Sequence, residues 1–339
     1  MPSKRILPLL LVMMLPLFVG CESDLEKRHK ILLANAQTVD TQISQLGQHI
    51  DAGNIANTGI LREYAAVVGL LSPDYKAITE LLAKDATRDG PIYKSLLARA
   101  SDTDKELATA TESEQVFTRL NNEYSAIHEA AKPGNYGMAI TDPINVLADM
   151  SGGKLARVAA LKKQASLQEN KADDLGVGSQ LVGNPTYGSW QQQSNGSSFW
   201  VYYGQYRLFS DVFGRGRSTS YGSWSQRRDY SYYHDRGRNY YTSPSQRSSQ
   251  QNVQKRARQK FASQGKTFQS PYSKNKAGSL NSAKRSTVKA PGKFNSSYAS
   301  RSSGNNAAGA GSNKTANSWS SNFNSRNTSG GSRSSFGGK

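Results

Sequence analysis

LEKRHKILLANAQTVDTQISQLGQHI, residues 25–50, decides the fold class. Leu25, His29, Leu32, Ala36, Val39, Ile43, Leu46 and Ile50 follow one another in steps of four and three. That is the spacing of a single face of an α-helix, and such a stripe needs other helices to cover it. Downstream, Asp51-Ala52-Gly53-Asn54 reads as a turn, and Ile60, Leu61, Tyr64, Val67, Val68 and Leu71 repeat the helical spacing. Ser72-Pro73-Asp74 is a start signal, because serine can cap free amides and proline is tolerated in the first turn. The helix it opens carries Tyr75, Ile78, Leu81 and Leu82.

Asp89-Gly90-Pro91 is expected to close that helix, with the glycine in the left-handed conformation common at helix ends. Tyr93 to Ile127 then reads as one long helix or two shorter ones, with any break near Thr109 to Ser113, and Lys132-Pro133-Gly134-Asn135 as its stop. The fold class is therefore mainly α: an antiparallel bundle of about four helices over residues 21–132. Residues 133–180 read as a helical extension or linker. A helix opens there at Asp142-Pro143 and is interrupted or kinked at Gly152-Gly153, and Lys154 to Asn170 reads as a thinly apolar segment that packs on the bundle or, in the favoured reading, extends from it as a spacer.

Charge divides the chain. From Glu22 to Gln180, 17 Lys and Arg stand against 22 Asp and Glu; from Leu181 to Lys339, 24 stand against 3. Two physical regimes are expected from such an asymmetry. Residues 181–242 form an aromatic-rich junction in which Tyr187-Gly188-Ser189-Trp190 recurs as Tyr221-Gly222-Ser223-Trp224. Phe199, Tyr202, Tyr206, Phe209 and Phe213 are spaced for one face of a short helix, packed on the bundle or laid against a membrane interface. Trp190, Trp200, Tyr203, Tyr206 and Trp224 are the candidates for aromatic contact. From Ser243 to Lys339 there is no acidic residue, and Ser, Gly, Asn, Lys and Arg dominate. Such a composition predicts disorder, with a transient basic helix over Gln250 to Phe261.

At the other end, Lys4 and Arg5 precede an apolar stretch from Ile6 to Val19, and Leu17-Phe18-Val19-Gly20-Cys21 follows. This arrangement resembles the signal peptide and lipobox of bacterial lipoproteins. The resemblance implies cleavage between Gly20 and Cys21, removal of residues 1–20, and acylation of Cys21, the only cysteine. It makes the protein anchored rather than spanning. Glu22, in place of Asp, implies the outer membrane by the enteric sorting rule. Asn184-Pro185-Thr186-Tyr187-Gly188-Ser189-Trp190, Ser198-Phe199-Trp200 and Tyr203-Gly204-Gln205-Tyr206 are also similar to a motif of proteobacterial envelope lipoproteins of no known activity.

No cofactor, metal or catalytic signature is present. His29, His49, His128 and His234 lack zinc-site spacing, and Gly214-Arg215-Gly216 lacks the rest of a phosphate loop. Interleaved Arg, Tyr and Gly in the basic end resemble RNA-binding segments, but an envelope location argues against nucleic acid and in favour of lipopolysaccharide, peptidoglycan or anionic lipid. The expected function is a non-enzymatic, lipid-anchored envelope protein whose basic tail contacts those polymers. The alternative is a helical module that docks a periplasmic or outer-membrane protein, with the tail incidental.

Overall fold

Ser23 starts the first helix. Its hydroxyl accepts from the Glu26 amide at 3.2 Å, and the Glu26 carboxylate accepts from the Ser23 amide at 2.8 Å. This capping box satisfies two donors that a bare helix end would leave unpaired. The resulting α1 spans Asp24–Asp51 and buries Leu32, Val39, Ile43, Leu46 and Ile50, the stripe read from sequence. The structure, a computed structural model, describes residues 23–110, 113–160, 162–213 and 218–273. Gly20, Cys21, Gly214-Arg215-Gly216 and residues 274–339 of the basic tail lie outside the described residues. Among the described residues there are eleven α-helices and one two-stranded sheet.

Behind α1 come α2 (Thr58–Leu71), α3 (Lys76–Ala83), α4 (Pro91–Thr109) and α5 (Glu114–Ala130). The break expected near Thr109 is real, and Ser113 caps α5 by accepting from the Val116 amide. Helix α4 runs antiparallel to α5, with Arg99 paired to Glu123 and, further along α4, Glu106 paired to Arg119 nearer the start of α5; the Tyr124 hydroxyl also donates to Asp104 at 2.8 Å. Helices α1 and α5 therefore lie side by side in the same direction, as the Asn35 to Asn121 and Gln42 to Ala131 hydrogen bonds record.

Gly90 differs from expectation. Its φ is −64°, an extended conformation open to any residue, and it precedes α4 instead of ending α3. Glycine is required there for space: a β-carbon would stand 2.5 Å from the Lys84 carbonyl oxygen and 2.6 Å from the Asp85 α-carbon.

Residues 133–180 carry three α-helices. Pro133, expected as a stop, opens α6 (Pro133–Ala139), and α7 (Thr141–Met150) follows with Ile144, Val146 and Leu147 fully buried. The helical reading fails from Lys154 to Ala160, because side chains take over the backbone's hydrogen bonds. Asn145 donates to the Val158 carbonyl and accepts from its amide, at 3.1 and 2.7 Å, and Ser151 accepts from the Leu155 amide at 2.9 Å. Only α8 (Lys163–Asn170) is helical.

The expected aromatic helix is replaced by a hairpin. Strands β1 (Gly188–Gln192) and β2 (Ser198–Tyr202) pair antiparallel with Trp190 opposite Trp200. Aromatic and β-branched residues at Phe199, Trp200, Val201 and Tyr202 favour the strand, and spacing alone did not reveal it. Tyr206 and Phe209 follow in short turns and are buried in the core that α1 to α7 build. After α9 (Tyr221–Arg227) and α10 (Arg238–Tyr241) comes α11 (Pro244–Ser263), which lies inside the region expected as tail. Every described residue belongs to one compact unit. Among them no helix is long and apolar enough to cross a membrane.

Candidate polyanion-binding surface

Helix α11 begins with Ser243, whose hydroxyl accepts from the Gln246 amide while the Gln246 side chain accepts from the Ser243 amide, and Pro244 fits the first turn. One face then meets the body. Val253 joins Val182, Trp200, Tyr221 and Trp224 in a small second core. Gln250 is buried, donating to the Tyr233 hydroxyl at 2.8 Å and accepting from Arg238 at 2.7 Å. Beyond the helix the chain folds back, so that Phe268 meets Phe261 edge-on and the Arg238 guanidinium lies 3.8 Å over the Tyr272 ring.

Away from that packed face, Lys255 and Arg258 are exposed on α11 and Lys266 is exposed just beyond its end, while Arg256 and Lys260, three and seven residues after Val253, flank the packed face and are half-buried. None of the five joins an ion pair among the described residues, and the last acidic residue of the chain is Asp235. Such a group of cations sets up a positive local potential. Arg247, nearer the body, is held by Asn239 and has its pKa lowered by burial and by Arg238.

The aromatic candidates serve mainly as the platform for this helix. Trp190 packs on Trp200, Tyr221 and Trp224 with ring centres 4.9 to 5.2 Å apart. Trp200, Tyr206 and Trp224 are buried, Trp190 is half-buried, and Tyr203 alone is exposed, at 42%. Packing therefore accounts for four of the five residues proposed for contact. The two Tyr-Gly-Ser-Trp copies take different forms, the first leading into β1 and the second opening α9, yet their tryptophans touch.

Five acids with buried carboxylates tie this platform together and to the helices, and no pattern in the sequence marks them. Asp85 accepts from the Tyr187 hydroxyl at 2.9 Å and from the Ile92 amide at 3.1 Å. Asp142 accepts from the Ser231 hydroxyl and from the amides of Tyr232 and Tyr233. Arg157 bridges Asp149 and Asp229, and Ser166 donates to Asp229 as well. Arg228 pairs with Asp235 and donates to the Pro271 carbonyl at 2.8 Å, which fastens the segment beyond α11.

Burial pushes the carboxyls of Asp85 and Asp142 up to about 7. A raised acid can mark a catalytic site when it lies in a cleft. Asp85 and Asp142 are 0% and 1% exposed, so a substrate would have to open the core to meet them. His234, stacked edge-on with Trp224 and bonded to the Val182 carbonyl, is driven well below its ordinary pKa by burial and by Arg228. These groups act as fastenings between segments. Comparison with known proteins finds no matching family model, no matching curated protein and no matching solved structure.

Proposed function

We propose that this is a non-enzymatic, lipid-anchored envelope protein that holds an anionic envelope polymer on its basic C-terminal end. The observation that carries the reading is the group of cations without ion partners on and just after α11, a helix fixed on a folded body. The resemblance of the leader to a lipobox at Cys21 supplies the anchor, with the outer membrane facing the periplasm as its destination. In that compartment the polyanions are lipopolysaccharide phosphates, anionic lipid head groups and peptidoglycan carboxylates. Attraction between such a group and a polyanion is long-ranged and screened by salt.

The test uses the purified full-length protein with vesicles of lipopolysaccharide or phosphatidylglycerol, and neutral phosphatidylcholine vesicles as control. Binding to the anionic vesicles alone is expected, weakening on the order of tenfold or more as salt rises from roughly 50 to 200 mM. The quadruple variant Lys255→Gln, Arg258→Gln, Lys260→Gln, Lys266→Gln should lose most of that binding with its helical spectrum unchanged. Equal binding by variant and wild type would show that α11 is not the contact.

A further inference from the structure

The end of the molecule where α1 begins carries an apolar groove that the rest of the fold leaves open. Its walls are Leu25 and Leu32 from α1, Leu107 from the end of α4, and Val116, Phe117 and Leu120 from the start of α5, and it is a shallow furrow open to solvent along its length, which an acyl chain can lie along but not be enclosed by. Leu25, on the groove wall, is 46% exposed, and Ile31 and Leu33, elsewhere in the first ten residues of α1, are exposed as well. Leaving so much apolar surface at one helix start is unfavourable unless something apolar covers it.

We propose that the groove receives an acyl chain carried on Cys21, an inference that rests on the lipoprotein reading above. Chain length favours this occupant. Cys21 lies two residues before Ser23, so its backbone is within about 7 Å of the helix cap. Leu25 is in the first turn of α1. Charge favours it as well. Arg28, on the groove wall, is 3.9 Å from the Glu114 carboxylate and lies over the Phe117 ring at 5.6 Å. Its positive charge is already answered, which suits an uncharged, covalently held chain better than a free fatty acid with an anionic head. The groove shields part of the lipid from water whenever the protein is off the bilayer, and competes with the bilayer for it when the protein is on.

The full-length protein is labelled in cells with a diazirine-bearing palmitate, irradiated, and digested with trypsin. A crosslink within one chain is expected from Cys21 to the peptide of residues 106–119, which holds Leu107, Val116 and Phe117. Leu107→Trp fills the groove and should reduce that crosslink about tenfold. Val116→Trp serves as a second filling variant, and the helical melting curve of each verifies the fold. Crosslinks confined to membrane lipids overturn the proposal. So does a groove crosslink that persists in Cys21→Ser, since the occupant is then a separate lipid. A crosslink between isotopically distinct copies also overturns it. Absence of palmitate from the wild type is a different failure: the lipoprotein reading itself falls.

Discussion

Asp85 is the residue on which most depends for its size. It bonds the start of α4 through Ile92 and the aromatic segment through Tyr187, and burial raises its carboxyl to about 7. An acid whose value is higher folded than unfolded, ordinarily 3.8, holds its proton more tightly in the native state. Its contribution to stability is then fully present below pH ~4 and is lost as pH rises through 7. Each such group contributes a slope of at most about 1 kcal/mol per pH unit across that window. Denaturation midpoints at pH 5, 6, 7 and 8 should therefore fall with pH, and Asp85→Asn should flatten the profile. A slope unchanged by the substitution would contradict this account. Nearby, Gly90→Ala should cost roughly 2 kcal/mol, because the new methyl meets backbone that cannot turn aside. Asp85 was invisible in the sequence: a lone aspartate near a turn carries no periodicity, and its partner Tyr187 is 102 residues away.

At the scale of elements, the helices with strong stripes were legible and those without were not. Helix α1 follows its apolar spacing, and Ser113 marks α5 with a local cap. The hairpin and the irregular run after Ser151 were hidden because tertiary bonds decide them, as the Asn145 clasp on Val158 illustrates. For the same reason Tyr-Gly-Ser-Trp is strand in one copy and helix in the other. Within this element set, Arg157→Ala should destabilise the protein by about 3 to 5 kcal/mol, since it strands two buried carboxylates, Asp149 and Asp229. Val253→Asp should place a charge against Trp200 and Trp224. Helix α11 is then expected to detach, with tryptophan emission shifted to the red. Unchanged emission would mean that the small second core does not hold the helix.

Across the whole molecule, the charge asymmetry suggested an acidic body with a basic appendage, and composition was a poor guide to where the body ends. Packing carries the body through the aromatic segment and α11, because the acids of the first half are satisfied by partners from the second. The candidate aromatic site was legible as residues but not as a role, since exposure cannot be read from spacing. Its basic neighbour was legible as charge, and the fold adds rigidity. Unfolding followed by helical signal and by tryptophan fluorescence, with three of the four tryptophans in the described C-terminal part, should give one coincident transition. Separate midpoints would restore the view of a bundle with an independent appendage.

The long separation between Asp85 and Tyr187, and between Asp142 and Tyr232, also sets a timetable for the newborn chain. A ribosome that has released the first 180 residues has made eight helices, among which two interior acids still lack their distant partners. Closing those distant pairs is slow relative to winding helices. The polypeptide therefore stays pliant until Tyr187 and Tyr232 have emerged, and locks only then.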